Sequence, residues 1–209
     1  DTVTLTATEL TVNVNVTNVA GFSAVGNSLV LNLLDGNDTV TIESSALFLG
    51  GVTINGGDSD QLGDSVTVND VSNGPVTIDF ALGTVAGIVG GPIALDGVEE
   101  LTVNGVEGGT ANDYDVTNYG ATTDIIRLVL DGADVGNNDN DTIDIALFEG
   151  PGGSNPLDFT PQSDTTASIT GNGPEITITD FNNAAGGLTF IGGGNFDAIN
   201  IIGSVGADS

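Results

Sequence analysis

Leu31-Asn32-Leu33-Leu34-Asp35-Gly36-Asn37-Asp38-Thr39-Val40-Thr41-Ile42 carries the grammar of the whole chain. An apolar-x-apolar run gives way to a short Gly/Asp/Asn stretch, which ends in an acid and leads into a second apolar-x-apolar run. Looser versions span Val52 to Val68, Leu101 to Val116, Leu128 to Ile145 and Leu188 to Ile201. Alternation of β-branched with small polar residues marks a strand with one buried face. Gly, Asn and Asp between two such runs supply tight corners, because they tolerate positive φ. Long Gly-free helical periods are missing, so no helix is expected. The repeated Ala46-Leu47-Phe48 and Ala146-Leu147-Phe148 are the best candidates for a single helical turn.

Strand units begin near Leu10, Leu31, Val52, Val76, Leu101, Leu128, Leu157 and Ile176 or Leu188. A step of roughly 25 residues suits one rung of a right-handed parallel β-helix, or β-solenoid, with two or three short strands per rung. About eight rungs at a strand spacing of ~4.8 Å would make a rod ~40 Å long. Inward Val, Ile, Leu and Phe would stack as the core, and outward Thr and Asn would form ladders. The alternative is a pair of tandem Ig-like β-sandwiches, against which stand the missing Trp and Cys and the short step.

A longer similarity lies over this step. Glu9-Leu10-Thr11-Val12-Asn13 returns as Glu100-Leu101-Thr102-Val103-Asn104, and Asn37-Asp38-Thr39 returns as Asn140-Asp141-Thr142. Asn73-Gly74-Pro75 returns as Asn172-Gly173-Pro174. These anchors divide the chain into residues 1–8 as the tail of one copy, 9–99 and 100–196 as two copies, and 197–209 as the start of another. The expectation is one continuous solenoid, cut from a longer array or completed at its ends by neighbours.

Composition narrows the partners. The 209 residues include 29 acids and one Arg, with no Lys, His, Cys, Met or Trp, for a net charge of −28. That field repels nucleic acid and anionic lipid. At 39% apolar the chain can still offset the entropy of ordering, so it reads as folded. No apolar run approaches the ~20 residues of a membrane helix. A chain free of Cys, Met and Lys suits long residence outside a cell or on its surface. Without His, Cys or Lys there is no triad, Schiff base or imidazole acid–base pair, and the chain reads as a non-enzyme. The adjacent Glu99-Glu100 would point to opposite faces of a strand, which is wrong for a glycosidase pair. Arg127 in Ile125-Ile126-Arg127-Leu128-Val129-Leu130 is expected outside, beside a carboxylate of the neighbouring strand.

Gly36-Asn37-Asp38-Thr39-Val40, Asn140-Asp141-Thr142-Ile143 and Gly192-Gly193-Gly194-Asn195-Phe196-Asp197-Ala198-Ile199 resemble the Gly-Gly-x-Gly-x-Asp-x-apolar nonapeptide of RTX, or haemolysin-type, repeats. The wider pattern is similar to repeats of very large bacterial surface proteins, notably those of planctomycetes. The resemblance implies a parallel solenoid with calcium at its Gly-Asp turns.

The acids themselves also suggest calcium, which takes six to eight hard oxygen ligands in irregular geometry. The densest cluster is Asp131, Asp134, Asp139, Asp141 and Asp144, with Asp58, Asp60 and Asp64 next. Asp35 with Asp38, Asp113 with Asp115, and Asp197 complete the candidate ligands. The other reading of the same residues is that Asp and Asn are ordinary corner residues whose charge keeps a surface protein soluble. The function expected is a structural repeat module of an extracellular filament, sheath or giant surface protein, self-associating head to tail and stabilised by Ca2+. The alternative is a calcium-dependent adhesin module that binds a glycan or surface ligand. Its contacts would come from Gly150–Gln162 or from exposed Tyr114 and Tyr119.

Overall fold

The computed structural model describes residues 1–6, 9–13, 15–18, 27–43, 50–57, 63–69, 75–88, 90–105, 111–133, 141–148, 156–163, 166–180, 187–192 and 198–202. Among them the chain is all-β, in two mixed sheets that do not close: sheet I with eleven strands and sheet II with eight. Three strands open the chain in sheet I: β1 (Thr2–Leu5), β2 (Glu9–Val12) and β3 (Asn15–Asn18). The next four alternate: β4 (Leu29–Asn32) in sheet II, β5 (Thr39–Glu43) in I, β6 (Val52–Asn55) in II and β7 (Ser65–Asn69) in I. Then β8 (Pro75–Asp79), β9 (Thr84–Ala86) and β10 (Ile93–Asp96) lie together in sheet II. Four more alternate: β11 (Glu100–Asn104) in I, β12 (Asp113–Tyr119) in II, β13 (Arg127–Asp131) in I and β14 (Thr142–Leu147) in II. Finally β15 (Leu157–Pro161), β16 (Ala167–Gly171) and β17 (Glu175–Thr179) return to sheet I, followed by β18 (Gly187–Ile191) in II and β19 (Ile199–Ile201) in I.

The rhythm is three strands in one sheet, then four that alternate, and the pairing obeys it throughout. Each strand pair recurs seven strands later, wherever the later strands are described. Thus β1–β5 recurs as β8–β12 and β15–β19. Likewise β4–β6 recurs as β11–β13, β5–β7 as β12–β14, β6–β10 as β13–β17 and β7–β11 as β14–β18. The reversed strands β2, β9 and β16 each sit in the middle of a three-strand meander. Five sheet-to-sheet crossings separate one meander from the next. That number is odd, so successive copies occupy opposite sheets.

This period differs from the hundred-residue similarity of the sequence. Glu9–Val12 forms β2, a reversed strand between β1 and β3, whereas the matching Glu100–Asn104 forms β11, parallel to both its neighbours. A Glu-Leu-Thr-Val-Asn strand fits any slot with one buried face; the corners decide which slot it takes. Tandem Ig-like sandwiches are overturned, because both sheets draw strands from both halves of the chain and most pairs are parallel. The second Ala-Leu-Phe is no helical turn: Ala146 and Leu147 continue β14. The first lies outside the described residues.

In sheet I the register aligns Val3, Val40, Val66, Leu101, Leu128 and Ile176 in one inward row. Leu5, Ile42, Val68, Val103, Leu130 and Ile178 form the next, and all twelve are buried. A one-residue slip would turn such a strand's apolar pair to water at ~2 kcal/mol per side chain, so the pattern locks the register. Outward, Thr4, Thr41, Thr67 and Thr102 lie in register. Beside them Asn104 donates to Asn69 at 2.9 Å and Asn69 to Glu43 at 3.0 Å. Phe80 packs edge-on against Tyr119, ring centres 6.3 Å apart, within the same continuous core.

Close approach at the corners calls for glycine at two equivalent places. A methyl on Gly56, just after β6, would overlap the Gly97 carbonyl and the Asp64 carboxylate. Seven strands on, a methyl on Gly132, just after β13, would strike the Asp180 carbonyl and sit 2.8 Å from Asp141 Oδ2. Gly56→Ala and Gly132→Ala should therefore each destabilise by about 3 kcal/mol through overpacking. Gly36→Ala, with nothing within 4 Å and only φ +135° to strain it, should cost about 1 kcal/mol. Guanidinium unfolding of the three variants checks the order; equal losses would contradict the packing.

Candidate functional site

The most unusual chemistry lies on the inside. In each strand the inward residues alternate, so the position two before the first inward apolar residue also faces inward. That position holds Asp38 before Val40, Asp64 before Val66, Glu99 before Leu101, Asn112 before Tyr114 and Asp141 before Ile143. All five side chains are buried, none more than 5% exposed.

Their role follows from the parallel ladder. The residue just before a strand has an N–H directed at the neighbouring strand, beyond the point where that strand's backbone can answer. A buried N–H left unpaired is costly. Here the neighbour's side chain answers instead. The Asp38 N–H donates to Asp64 Oδ1 at 2.8 Å, and the Asp64 N–H donates to Glu99 Oε2 at 2.7 Å. Asp38 in turn accepts from the terminal ammonium of Asp1, an ion pair in place of a peptide N–H. One period later the Asn112 N–H donates to Asp141 Oδ1 at 2.6 Å. The carboxylates extend each ladder by one charge-assisted bond.

The first stack is left with an electrostatic load. Asp38 Oδ2, Asp64 Oδ2 and Glu99 Oε1 are buried and have no hydrogen-bond partner among the described residues. Burial pushes the Asp64 and Glu99 carboxyls above their ordinary values, and at Glu99 the charges of Asp64 and Asp124 add to the rise. In the second stack Asn112 stands where the first has Asp38. Its amide donates to the Gly132 carbonyl at 2.8 Å and to Asp141 Oδ1 at 3.2 Å. An amide therefore does at Asn112 what a carboxyl could do at Asp38 only by holding a proton.

The expected metal ligands among the described residues are dispersed. Asp38, Asp64 and Asp141 point inward; Asp64 and Asp141 each accept from a backbone N–H, and Asp38 accepts from the Asp1 terminal ammonium. Asp113, Asp115 and Asp144 lie on the outer face of sheet II, with Asp115 opposite Asp144 and Asp113 accepting from the Thr142 hydroxyl. Burial, then the charges of Asp113 and Asp144, raises the Asp115 carboxyl. Asp131 caps its own turn by accepting from the Ala133 N–H at 2.8 Å, and Asp35 is exposed beside Gly36. Asp58, Asp60, Asp134, Asp139 and Asp197 lie outside the described residues. Among the described residues no three acids are grouped to hold a metal ion.

Arg127 is where the strand pattern places it, outside on β13, with its guanidinium 3.1 Å from Glu100 of β11. Tyr114 and Tyr119 are not the exposed aromatics an adhesive face would need. Both are fully buried; the Tyr114 hydroxyl donates to the Asp131 carbonyl at 2.8 Å, and burial pushes the Tyr119 hydroxyl up to about 12. Gly150–Gln162 is described only from residue 156, where it forms β15. Glu99 and Asn112 are site residues that the search for turn acids passes over. The face parity of the following strand was the available signal. No protein-family model, curated protein or solved structure matches this chain.

The sign of the pH effect follows from the raised carboxyls. The folded state holds its protons to higher pH than the unfolded chain, so stability falls as pH rises above the ordinary values of 3.8 for Asp64 and 4.5 for Glu99. Asp64→Asn should melt above the native protein at pH 7, and the gap should close as the pH approaches 4. Asn112→Asp, which sets a second buried carboxylate beside Asp141, should destabilise by about 2 kcal/mol at pH 7. Melting curves followed by circular dichroism across this pH range check both; a gap that widens on acidification contradicts the assignment.

Proposed function

We propose that the chain is a β-solenoid module with a structural role: an acidic, stiff element of an extracellular or cell-surface assembly. The observation that carries this reading is the pairing scheme that repeats every seven strands. A scheme in which each copy contacts only its neighbours can be extended without limit, and its stability grows with the number of copies. The continuous core and the in-register inward rows fit such a rod. Its surface chemistry supports the same reading. Twenty-nine acids with no Lys, His or Cys leave little for catalysis, and the single Arg is engaged by Glu100. The inward acids serve the backbone ladder, so the reading needs no metal.

Duplication of one copy tests it. Repeating residues 75–156 in tandem adds seven strands shared between two sheets, which should lengthen the particle by ~17 Å at ~4.8 Å per strand. Small-angle scattering should show the longest dimension growing by that amount at constant cross-section, with one cooperative melt at a higher temperature. A particle that thickens, or two separate melts, would sink the reading.

A further inference from the structure

β7, β11, β13 and β17 are neighbours in sheet I, so the segments that lead into them stack side by side. The first three arrive from sheet II and the fourth from the β16–β17 turn. Three clefts run along this stack. The first, of about 220 Å³, is lined by Asp64, Glu99, Glu100, Ile126 and Arg127 among others. The second, of about 290 Å³, has Ile125, Ile126 and Pro174 in its walls. The third, of about 180 Å³, has Leu82, Asp96, Asp124 and Ile125. Ile126 is common to the first two and Ile125 to the last two, so the clefts adjoin.

The fold leaves two needs unmet there. Ile126 stands two positions before Leu128, the place that Asp38, Asp64 and Glu99 hold before their own strands, so it belongs to the same inward row. Those three and Pro174, the next in the row, are buried, yet Ile126 is 50% exposed. Beside it, Asp64 and Glu99 are buried with Asp64 Oδ2 and Glu99 Oε1 unpartnered among the described residues. A buried carboxylate oxygen without a partner is costly. The chain carries no Lys, and Arg127, its single Arg, is engaged by Glu100 at 3.1 Å. The third cleft repeats the combination: Leu82, 72% exposed, lies in its wall with Asp96 and Asp124.

We infer that these clefts dock a lysine-bearing segment of a partner protein, with aliphatic stems laid over Ile126 and Leu82 and ammonium groups turned to the carboxylates beside them. Lysine suits both needs at once. Its stem covers apolar surface while its charge stays with polar partners, and its ammonium has three donors and no acceptor. Clefts this small take single side chains rather than a whole ligand. A net charge of −28 draws a basic segment in, and the exposed Ile126 and Leu82 fix where it settles. The inference goes beyond the structural-module reading and does not need it, because the clefts lie within one run of strands whether or not the rod extends.

The test titrates the ¹⁵N-labelled chain with the peptide acetyl-Lys-Leu-Lys-Leu-Lys-amide, and with the same peptide carrying norleucine for each lysine. Amide shifts should gather at Ser65, Glu100, Ile126 and Gly83 with the lysine peptide and be absent with the norleucine one. Ile126→Ser should weaken binding about tenfold, since the stem loses its apolar floor. Leu34→Ser, which removes an exposed apolar side chain that lines none of these clefts, should leave affinity unchanged. Circular dichroism checks that each variant folds, and Leu82→Ser stands in for Ile126→Ser if that variant does not. Shifts scattered over acidic corners far from the clefts would overturn the proposal, because they would report charge attraction alone. So would equal binding of the norleucine peptide, or an Ile126→Ser variant that binds as Leu34→Ser does.

Discussion

The in-register parallel ladder is the constraint on which the rest of the molecule depends. Once β5, β7, β11, β13 and β17 lie in register, their side chains stack in rows, and a row accepts only one kind of chemistry along its length. Inward rows must be apolar, and Val, Leu and Ile fill them. Outward rows suit Thr and Asn, and the Asn side chains bond to their own kind across the ladder, as Asn104 does to Asn69. Repetition in the sequence follows from repetition in the ladder.

The same constraint explains why acids are buried. A ladder ends where its strands begin, and there an inward-facing N–H has lost its backbone acceptor. Asp64 and Glu99 supply one by reaching across from the next strand. A short side chain ending in an acceptor is what the position requires, and burial of its charge is the cost. Asn112 meets the requirement without the charge, and its amide adds a bond to Gly132. The first stack therefore responds to protons, while the second is half neutralised by its sequence.

Charge and strand edge act against each other in this chain. Among the described residues, the outermost strands turn the Val30 and Ile199 N–H groups away from their paired neighbours, beside exposed apolar side chains. The acids surround those edges with a field of one sign. Association between such surfaces depends on ionic strength and pH more than on any single contact.

Much of this was legible from residues alone. Alternation in Val40-Thr41-Ile42 or Ile176-Thr177-Ile178 predicts strands with one buried face, and the strands are there. Period two even marks Asp38, Asp64 and Asp141 as inward, because face parity carries through the start of a strand. The outward position of Arg127 followed from the same parity, though its partner Glu100 did not. Which strand lies beside which was not legible. Glu9–Val12 and Glu100–Asn104 read alike yet pair differently, since a half-buried strand has no preference among neighbours of its own kind. Only the tertiary structure decided the seven-strand order and the exchange of sheets between copies. Those depend on contacts between residues far apart in sequence, such as the close approach of Gly56 to Gly97 and of Gly132 to Asp180. Local pattern determined the strands and their faces; their order is carried by contacts between residues far apart in the chain, which a local pattern does not encode.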